Sequence, residues 1–550
     1  MLPAEILAHQ DPRARFYITP TRIVWARGGI RNTHVLLEDT GEQATLDMQT
    51  GCTMDPGASL LLDFGREIHG SVMVTAGGMD EHTAPIRIRL GESAMEAMSE
   101  LGEKNSTNDH ALRDGTIKAT WLGTTEFGPS GFRFARIDIP QDGMAIRFSA
   151  VKAILLLKPL AYKGSFRCSD PLLNRVWETG AYTVHLNMQR YIWDGIKRDR
   201  LVWVGDMHPE TVTLRAVFGY DESVPMSLDL IREESPLPKW MNGTPSYSMT
   251  WLIIQSDWFL HHGDMPYLQQ QEPYLLGLIH QINASIGPDG AFLLNNYFID
   301  WPSSTQKDGE RVGLLALAAM AMEAGTLLCR ALGREDGVTA SQDALQKLRR
   351  APLTPVNNKQ AMALAVDAGL LDAATVNKES LAPRGAHGLS TFRGYHVLRA
   401  RAKANDMAGA LQTIREYWGG MLQMGATSFW EDFDIDWMQN AAPIDELTPP
   451  GKRDIHGDCG AFCYEGYRHS LCHGWASGPT AFLSESVLGI SIAEPGAGKV
   501  TIRPVLGDLL WAEGTYPLPQ GNVHVRAEKQ ADGSVKVECK LPPGVERAEA

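Results

Sequence analysis

The run Leu314-Leu-Ala-Leu-Ala-Ala-Met-Ala-Met322 has no polar side chain at any position. Read as a helix, it is apolar on every face, and such a helix has to be buried among other helices. The run is followed by Glu323 and interrupted again at Arg330, so it is shorter than the roughly 20 apolar residues that span a bilayer. The chain therefore requires a helical domain that is thick enough to enclose one helix completely.

Helical spacing extends over much of the middle of the chain. Asp170 and Pro171 form a helix start, because aspartate caps a first turn and proline is tolerated at the first helical position. Many helices separated by long loops, some of them fully buried, favour two concentric rings, an (α/α)6 barrel, with a helical solenoid as the alternative. Further helices are predicted around residues 248–262, 272–284, 311–333, 359–371, 392–404 and 407–422.

Strand patterns lie on both sides of the helical zone. Several of these segments alternate apolar and polar residues, which is the period-two pattern of half-buried strands, and glycine, proline and aspartate separate them. Strands are predicted at residues 59–64, 71–75, 86–90 and 132–139 before the helices, and at 499–504, 522–527 and 534–539 after them.

The chain has 550 residues, a length at which chains usually divide into about two to four domains. We predict a multidomain α and β protein with three domains. An N-terminal β-sandwich covers residues 1–162, a central (α/α)6 barrel covers residues 163–488, and a small C-terminal β-domain covers residues 489–550.

The formal net charge is −14, with 65 acidic and 51 basic residues. Nucleic acids and anionic membrane surfaces are bound through basic footprints, so this composition argues against both as partners. Residues 1–16 lack a charged region followed by an apolar core, so we expect no signal peptide. Seven cysteines without a disulfide-scaffold spacing are expected to be free thiols in the cytoplasm. The oligomeric state is open, with a homodimer as one option.

The stretch from Tyr191 to Glu210 combines carboxylates, basic side chains and indole rings. Carboxylates supply acid–base groups, arginines hold carboxylates and tune their pKa values, and tryptophan faces offer platforms for sugar rings. The plain alternative is a solvated charged loop, but such loops seldom carry exposed tryptophans. The residues in question are Trp193, Asp194, Lys197, Arg198, Asp199, Arg200, Trp203, Asp206 and Glu210.

A second acidic stretch, residues 425–437, places Glu431 directly after Trp430. Its alternating carboxylates have the spacing of calcium ligands, but the glycine and the terminal glutamate of an EF-hand are absent. The other members of this stretch are Asp432, Asp434, Asp436 and Trp437.

Two shorter segments complete the candidate set. Asp300 precedes Trp301, and His473 lies close to Trp475. Cysteines near His473 raise zinc as an alternative, but the chain has no C-x-x-C pair there, and buried thiols are the better interpretation. Two carboxylates brought together from distant loops are the requirement of glycoside hydrolysis, so the residues predict a carbohydrate-active enzyme without naming its sugar.

At these same residues the chain resembles the α-L-rhamnosidases of glycoside hydrolase family 78, in a compact bacterial form. The family's general-acid motif, Asp-Cys-Pro-Gln-Arg-Asp-Glu-Arg-Leu-Gly-Trp-Thr-Gly-Asp, is similar to Asp194-Gly-Ile-Lys-Arg-Asp-Arg-Leu-Val-Trp-Val-Gly-Asp206. Its Gly-Ala-Thr-Thr-x-Trp-Glu motif is similar to Gly425-Ala-Thr-Ser-Phe-Trp-Glu431. A His-Gly-Trp-Ser-Ser-Gly-Pro segment resembles residues 473–479, and the closing β-domain resembles residues 502–515.

The resemblance implies hydrolysis of terminal α-L-rhamnose with inversion by two carboxylates. The acid motif is one residue shorter here, and alignment backwards from Asp206 places Asp199 where the family has its acidic glutamate. Asp199 is then the general acid and Glu431 is the base that activates water, with Asp194 and Asp206 as competitors for the acid role. The two carboxyl groups are expected about 6.5–9.5 Å apart.

Arg198 and Arg200 are expected to point away from the acid, because a guanidinium would keep it ionised. The other candidates would bind sugar hydroxyls or pack against the methyl group of rhamnose. Neither a cofactor nor a metal is expected, and a small rhamnoside or disaccharide is the expected substrate. The candidates for substrate binding are Asp194, Arg198, Trp203, Asp206, Trp251, Trp258, Asp300, Trp301, Trp430, Trp437 and His473.

Three alternatives stay open. Another α/α-barrel glycosidase or a sugar phosphorylase would share the architecture, and the phosphorylase would depend on phosphate. A carbohydrate-binding protein on an inactive scaffold would bind sugar without turnover. A lyase acting on uronate sugars would use a basic pocket and a Tyr or His base, whereas these clusters are acidic.

Overall fold

The computed structural model describes residues 10–39, 43–46 and 50–548, so residues 1–9 of the signal-peptide prediction lie outside the described residues. The chain folds into two compact units, each assembled from separate stretches. Unit 1 consists of Met1–Pro159, His185–Leu201 and Met421–His473, and unit 2 consists of Leu160–Val184, Val202–Gly420 and Gly474–Ala550. Strands precede and follow the helices as predicted, while the three domain boundaries stay a prediction.

In the described part of unit 1, nine strands form one antiparallel sheet. They are β1 (Ala14–Ile18), β2 (Arg22–Arg27), β3 (Ile30–Arg31), β4 (Cys52–Met54), β5 (Ser59–Gly78), β6 (Thr83–Gly91), β7 (Asp114–Thr120), β8 (Gly123–Asp138) and β9 (Ile146–Leu157). The strand order is β3-β4-β9-β5-β8-β6-β7, with β1 paired to β9 and β2 paired to β5. Because the nine strands share one hydrogen-bonded sheet, the two packed sheets of a sandwich stay a prediction.

Strand β5 is one long strand where the sequence predicts two. Two separate strands are predicted at residues 59–64 and 71–75, but both belong to β5. Register shifts in its pairing with β8 carry the strand across Gly65 and Gly70, and Gly65 has a φ of 79°. A bulge absorbs an extra residue without ending the strand, so glycines that signal a turn in the sequence mark a bend here.

A short helix follows β6 and positions two acidic side chains. Helix α1 spans Ala94–Met98, and the hydroxyl of Ser93 caps it by accepting the N–H of Glu96. Its alanines belong to a buried apolar cluster that includes Phe134 of β8. Packing of this helix on the sheet holds Glu92 and Glu96 in fully buried positions. Two short pairs of strands lie later in unit 1: Ala441–Ala442 with Arg453–Asp454, and Gly460–Ala461 with Tyr464–Glu465.

The helices of the middle zone begin at Pro171, which confirms the predicted helix start. Each helix predicted from the sequence corresponds to one of these elements, whereas α3, α4, α8, α10 and α13 are not among the predicted helices. The last residues of α2 and α12 belong to unit 1. The helices are α2 (Pro171–Asn187), α3 (Met207–Val217), α4 (Ser223–Glu234), α5 (Pro245–His262), α6 (Met265–Ala284), α7 (Lys307–Ala331), α8 (Glu335–Leu348), α9 (Lys359–Asp367), α10 (Ala373–Val376), α11 (Gly394–Lys403), α12 (Met407–Gln423) and α13 (Gly478–Phe482).

Helix α7 contains the apolar run 314–322, and within that run Met320 alone is not fully buried. Its length and composition would allow it to cross a membrane, and 78% of its most apolar window is buried inside the protein. A glycine permits close packing, because a Cβ at Gly313 would lie 2.4 Å from the side chain of Ile299. The predicted burial of this helix among other elements is confirmed.

The strands of unit 2 form two small sheets. The strands are β10 (Ser165–Cys168), β11 (Ile490–Ile492), β12 (Lys499–Ile502), β13 (Trp511–Leu518), β14 (Gly521–Lys529), β15 (Val535–Lys540) and β16 (Glu546–Arg547). One sheet has the order β10-β13-β14-β15, and the other has the order β11-β12-β16. Strand β10, which precedes the helices, thus pairs with a strand from the C-terminal zone.

Candidate active site

The stretch 194–201 of unit 1 folds back on the carboxylate of Asp194. The backbone N–H groups of Asp199 and Leu201 donate to this carboxylate at 2.8 and 3.0 Å, and the N–H of Asp194 donates to the Leu201 carbonyl at 3.1 Å. Gly195 leaves no room for a side chain, because a Cβ there would lie 2.3 Å from the carbonyl oxygen of Arg198. This turn fixes Arg198 and Asp199 relative to Asp194.

The guanidinium of Arg198 joins the two carboxylates predicted to be the acid and the base. Its Nη1 donates to Asp199 Oδ1 at 2.6 Å, and its Nη2 donates to both carboxylate oxygens of Glu431, at 2.8 and 3.0 Å. Its Nε donates to the carbonyl oxygen of Arg468 at 2.9 Å. The expectation that Arg198 points away from Asp199 is wrong, because the planar fork of a guanidinium can hold two carboxylates at once.

Arg200 has different partners. Its guanidinium carbon lies 4.8 Å from the ring centre of Trp193, within the range of a cation–π contact. Its Nη1 also donates to the carbonyl oxygen of Pro129 at 3.2 Å. Trp193, in turn, packs edge-on against His69 with ring centres 5.3 Å apart. Arg200 and Trp193 therefore attach the turn to the sheet of unit 1.

Glu431 is held by a second segment of unit 1. The N–H of Ser470 donates to Glu431 Oε2 at 3.1 Å, and the N–H of Glu431 donates to the Ser470 carbonyl at 3.0 Å. The backbone of His473 forms an isolated antiparallel β-bridge with Gly195. Its imidazole Nε2 lies 3.7 Å from Asp194 Oδ2 and 3.8 Å from Glu431 Oε1. The predicted residues Asp194, Arg198, Asp199, Glu431 and His473 therefore lie together.

The protonation states of this group follow from burial and neighbouring charges. Burial raises the pKa of Asp194 to about 7, and the nearby charge of Asp199 adds to the shift. Burial also raises the pKa of Glu431, while the charge of Arg198 opposes the rise. Burial, reinforced by Arg198, lowers the pKa of His473 well below its usual value, so its imidazole is neutral.

Asp199 is the most accessible of the three carboxylates. Its side chain is 19% exposed, against 4% for Asp194 and 6% for Glu431. A proton donor has to reach the leaving oxygen of its substrate, so exposure favours Asp199 for that role. Because one planar guanidinium contacts both side chains, the bonded oxygens of Asp199 and Glu431 lie within about 8 Å of each other.

The tryptophans of the second acidic stretch pack around His469. Trp430 is buried, with its ring centre 5.6 Å from Phe433 and 6.5 Å from His469. Trp437 is half-buried, with its ring centre 6.0 Å from His469. Trp437 thus keeps accessible surface, whereas Trp430 fills the interior beside Glu431. A sugar contact for either ring stays a prediction.

A separate group of predicted residues lies in unit 2. The hydroxyl of Tyr247 donates to Asp206 Oδ1 at 2.7 Å, and its ring packs edge-on against Trp203 at 6.2 Å. Phe298 connects Tyr247 to Trp301, with ring-centre distances of 6.2 and 5.2 Å. Trp203 and Trp301 are half-buried, so this aromatic cluster presents two partly accessible indole rings beside a carboxylate.

Asp300 is buried behind that cluster in unit 2. Its carboxylate accepts the N–H of Ser303 at 2.9 Å and the hydroxyl of Ser390 at 2.8 Å. These bonds tie the loop after Asp300 to the loop that precedes α11. A role for Asp300 in binding sugar hydroxyls stays a prediction.

Trp251 and Trp258 lie on helix α5 in the interior of unit 2. Trp251 has no exposed surface, and its indole N–H donates to the Leu228 carbonyl at 3.2 Å. Trp258 is 2% exposed and packs against His262 with ring centres 4.1 Å apart. Both side chains are buried and serve as core residues of unit 2. Contact of either ring with a sugar stays a prediction.

The residues considered for calcium and zinc have structural partners. Asp434 accepts the N–H of Asp436 at 2.9 Å and caps a short 3₁₀ turn, which explains the alternating acidic residues. The cysteines near His473 are free thiols. Burial raises the pKa of Cys459 and Cys463 to about 11, which disfavours the thiolate form that binds zinc.

Four residues at or near this group, His110, Glu92, Glu96 and His456, are not predicted from the sequence. His110 Nε2 lies 3.4 Å from Asp199 Oδ1. Glu92 and Glu96 have ligand atoms within 4.8 Å of His456, the spacing of a metal site, and Lys197 Nζ lies 3.0 and 3.2 Å from the two glutamates. No local pattern in the sequence connects these distant positions.

Two family models match this chain. Residues 161–351 match the bacterial alpha-L-rhamnosidase 6 hairpin glycosidase domain, and residues 489–548 match the bacterial alpha-L-rhamnosidase C-terminal domain. An alpha-L-rhamnosidase of Formosa agariphila is 31% identical over 98 residues, which are 18% of this chain and 10% of that protein.

Solved structures share the fold. A GH78 family rhamnosidase of Bacillus sp. GL1 has a TM-score of 0.70 and 23% identity, with 90% of this chain and 54% of that chain covered. A rhamnosidase from Klebsiella oxytoca with rhamnose bound has a TM-score of 0.67 and 18% identity, with 87% of this chain and 97% of that chain covered. This chain thus spans about half the length of the Bacillus structure, and the likeness establishes a mixed α and β multidomain fold.

Proposed function

We propose that this chain, whose residues 161–351 and 489–548 match bacterial α-L-rhamnosidase domains, is an α-L-rhamnosidase of glycoside hydrolase family 78 and hydrolyses terminal α-L-rhamnose from small rhamnosides. The observation that carries the proposal is the contact of one guanidinium, that of Arg198, with both Asp199 and Glu431. Two carboxyl groups held close together on separate segments are the requirement of glycoside hydrolysis.

In the proposed mechanism, Asp199 is the general acid and Glu431 is the general base. Asp199 donates its proton to the leaving oxygen as the bond to the anomeric carbon breaks. Glu431 removes a proton from a water molecule that attacks the anomeric carbon from the opposite face, so the sugar leaves with inverted configuration.

Asp194 is the second candidate for the acid. Its pKa of about 7 is the value that a general acid needs near neutral pH. Against this role, two backbone N–H groups occupy its carboxylate and only 4% of the side chain is exposed. We therefore assign Asp194 to holding the turn.

The proposal includes four further expectations. We propose that the helices of unit 2 form an (α/α)6 barrel, which their number and burial support. We further propose that the protein acts in the cytoplasm and prefers a small glycoside or disaccharide over a polysaccharide. A homodimer is one option for its oligomeric state.

The test of this function is proton NMR of the anomer first released from an aryl α-L-rhamnoside. Inverting hydrolysis is expected to release β-L-rhamnose first, whereas α-L-rhamnose as the first product would establish retention. A rhamnose phosphate formed only in phosphate buffer would identify a phosphorylase instead. Binding of rhamnose without turnover of any glycoside in a nitrophenyl panel would contradict the proposed hydrolysis and favour a binding protein.

Dependence on the leaving group separates Asp199 from Asp194. A poor leaving group needs protonation, whereas a dinitrophenolate leaves without it. Asp199→Asn is expected to lower kcat/KM about 10²-fold or more for a methoxyphenyl rhamnoside but less than about tenfold for a dinitrophenyl rhamnoside. Asp194→Asn is the matched control and is expected to lower both values alike. The reverse pattern would assign the acid role to Asp194.

A further inference from the structure

A buried ion cluster in unit 1 lies next to the proposed site and has no part in the mechanism above. The ammonium of Lys197 is 3.0 Å from Glu92 Oε2 and 3.2 Å from Glu96 Oε1. The side chains are 9%, 0% and 1% exposed. Burial of such charges is costly unless each is paired, so a role for this cluster has to be sought in what it contacts.

The cluster holds the chain segment 467–471. Lys197 Nζ donates to the carbonyl oxygens of Tyr467 at 2.8 Å and His469 at 2.6 Å. Glu92 accepts the N–H of Leu471 at 2.6 Å. The ammonium and one of its carboxylates thus bind neighbouring peptide groups of the same segment.

That segment is the one that fixes Glu431. The Ser470 N–H donates to the carboxylate of Glu431, and His469 Nε2 accepts the N–H of Asp432 at 2.9 Å. Arg198, which also binds this carboxylate, directly follows Lys197 in the chain. Two partners of Glu431 are therefore attached to Lys197: Ser470 through the hydrogen bonds of its segment, and Arg198 through the backbone.

We propose that Lys197, held by Glu92 and Glu96, is the positioning residue of Glu431: it fixes Ser470 and Arg198, which bind the carboxylate, and keeps a positive charge behind it. The inference rests on the proposed function of Glu431 as the base. The same geometry explains the metal-like spacing of Glu92, Glu96 and His456, because the ammonium of Lys197 serves as the cation there.

The electrostatics give this role a measurable signature. Burial opposes the charge of Lys197, but Glu92 and Glu96 outweigh it and raise the Lys197 pKa. Burial raises the pKa of Glu431, and the charges of Arg198 and Lys197 oppose this rise. Other titratable groups surround both side chains. Those around Glu431 are Asp194, Asp199, Cys463 and His473. Those around Lys197 are Glu67, Glu92, Glu96, His456 and His469.

The experiment is the pH profile of Lys197→Met on an aryl α-L-rhamnoside. A base acts when ionised, so activity rises with pH through the pKa of Glu431. Loss of the positive charge is expected to move this acid limb upward by about one pH unit and to lower kcat about tenfold, with KM changed less than about threefold. A merely structural lysine would leave the limb in place.

Lys152→Met is the matched control, because Lys152 is also a buried lysine of unit 1 that pairs with an aspartate, Asp39. The acid limb of its pH–activity profile is expected to match that of the wild type. If Lys197→Met does not fold, Lys197→Met/Glu92→Gln removes an unpaired carboxylate together with the ammonium and takes its place. An unchanged limb in the folded variant overturns the inference.

A second measurement is independent of turnover. Carbon-13 NMR of labelled glutamate, with the Glu431 signal assigned through Glu431→Gln, follows the titration of this carboxyl directly. Its pKa is expected to be higher in the Lys197 variant than in the wild type, and equal values overturn the inference. A wild type that hydrolyses no rhamnoside would contradict the proposed function, while this titration would still decide the role of Lys197.

Discussion

Arg198 directs its guanidinium at the carboxylates of Asp199 and Glu431 and at the carbonyl of Arg468. Burial opposes the charge of Arg198, but Glu431 and Asp199 outweigh it and raise the Arg198 pKa further. A buried arginine is tolerated only where geometry satisfies its charge. A lysine would supply one point charge in place of a planar fork, so the acid and the base depend on arginine at this position for their spacing.

Asp194 makes folding stability depend on pH in the direction opposite to an ordinary ion-paired carboxylate. Its pKa is 3.8 in the unfolded reference and about 7 in the folded protein, so the folded protein binds this proton more tightly. That stabilisation is complete below about pH 4 and is lost as the pH rises through about 7. Asp194→Asn, which cannot ionise, is therefore expected to gain about 1–4 kcal/mol relative to wild type between about pH 5 and about pH 8.

Urea unfolding of both proteins at the two pH values measures this gain. Asp63→Asn is the control, since Arg133 pairs with this buried carboxylate and its pKa is lowered despite burial. Asp63 stays ionised across the whole interval, so the stability of its variant relative to wild type is expected not to change with pH. A difference between Asp194→Asn and wild type that is the same at both pH values would contradict the prediction.

The elements of this protein differ in how far the sequence predicts them. Helices such as α5 and α7 follow from an apolar period and a local start signal, both of which are contained in the element itself. The sequence predicts two strands where β5 forms a single one, because a glycine can mark either a turn or a bulge. The role of Glu96 could not be predicted from the sequence, because its partner Lys197 lies 101 residues further along the chain. Long-range pairs of this kind cannot be inferred from local patterns.

The turn at 194–201 can be tested through Gly195. A Cβ there would lie 2.3 Å from the Arg198 carbonyl oxygen, so Gly195→Ala has to shift the backbone that carries Arg198 and Asp199. A misplacement of about 1 Å at a catalytic group can cost about 10²-fold in rate, and we expect a loss of that size in kcat/KM for an aryl rhamnoside. Gly77→Ala is the control, since the nearest atom to its Cβ is 3.8 Å away. Equal activity of the two variants would show that the turn tolerates the shift.

The two compact units of the molecule interleave along the chain. Composition predicts three consecutive zones, and residues 185–201 and 421–473, which lie in the middle zone, belong to unit 1. The reason is visible in single contacts: Arg133 Nη1 donates to the Gly425 carbonyl at 2.9 Å, and the Glu67 N–H donates to the Thr427 hydroxyl at 2.8 Å. The proposed acid and base lie in motifs that the sequence itself displays, but periodicity does not indicate which sheet a loop will join.

A fragment of residues 1–162, the predicted N-terminal domain, tests whether the interleaved stretches are needed for folding. In it, Glu92 and Glu96 would lose Lys197, and removal of one partner from a buried pair costs about 3–5 kcal/mol. Domains are stable by only about 5–15 kcal/mol, so we expect the fragment to show no cooperative thermal transition by circular dichroism. The same fragment with Glu92→Gln and Glu96→Gln lacks the unpaired charges and is expected to regain part of its stability. Cooperative unfolding of the unmodified fragment within about 5 °C of the full chain would show instead that residues 1–162 fold independently of Lys197.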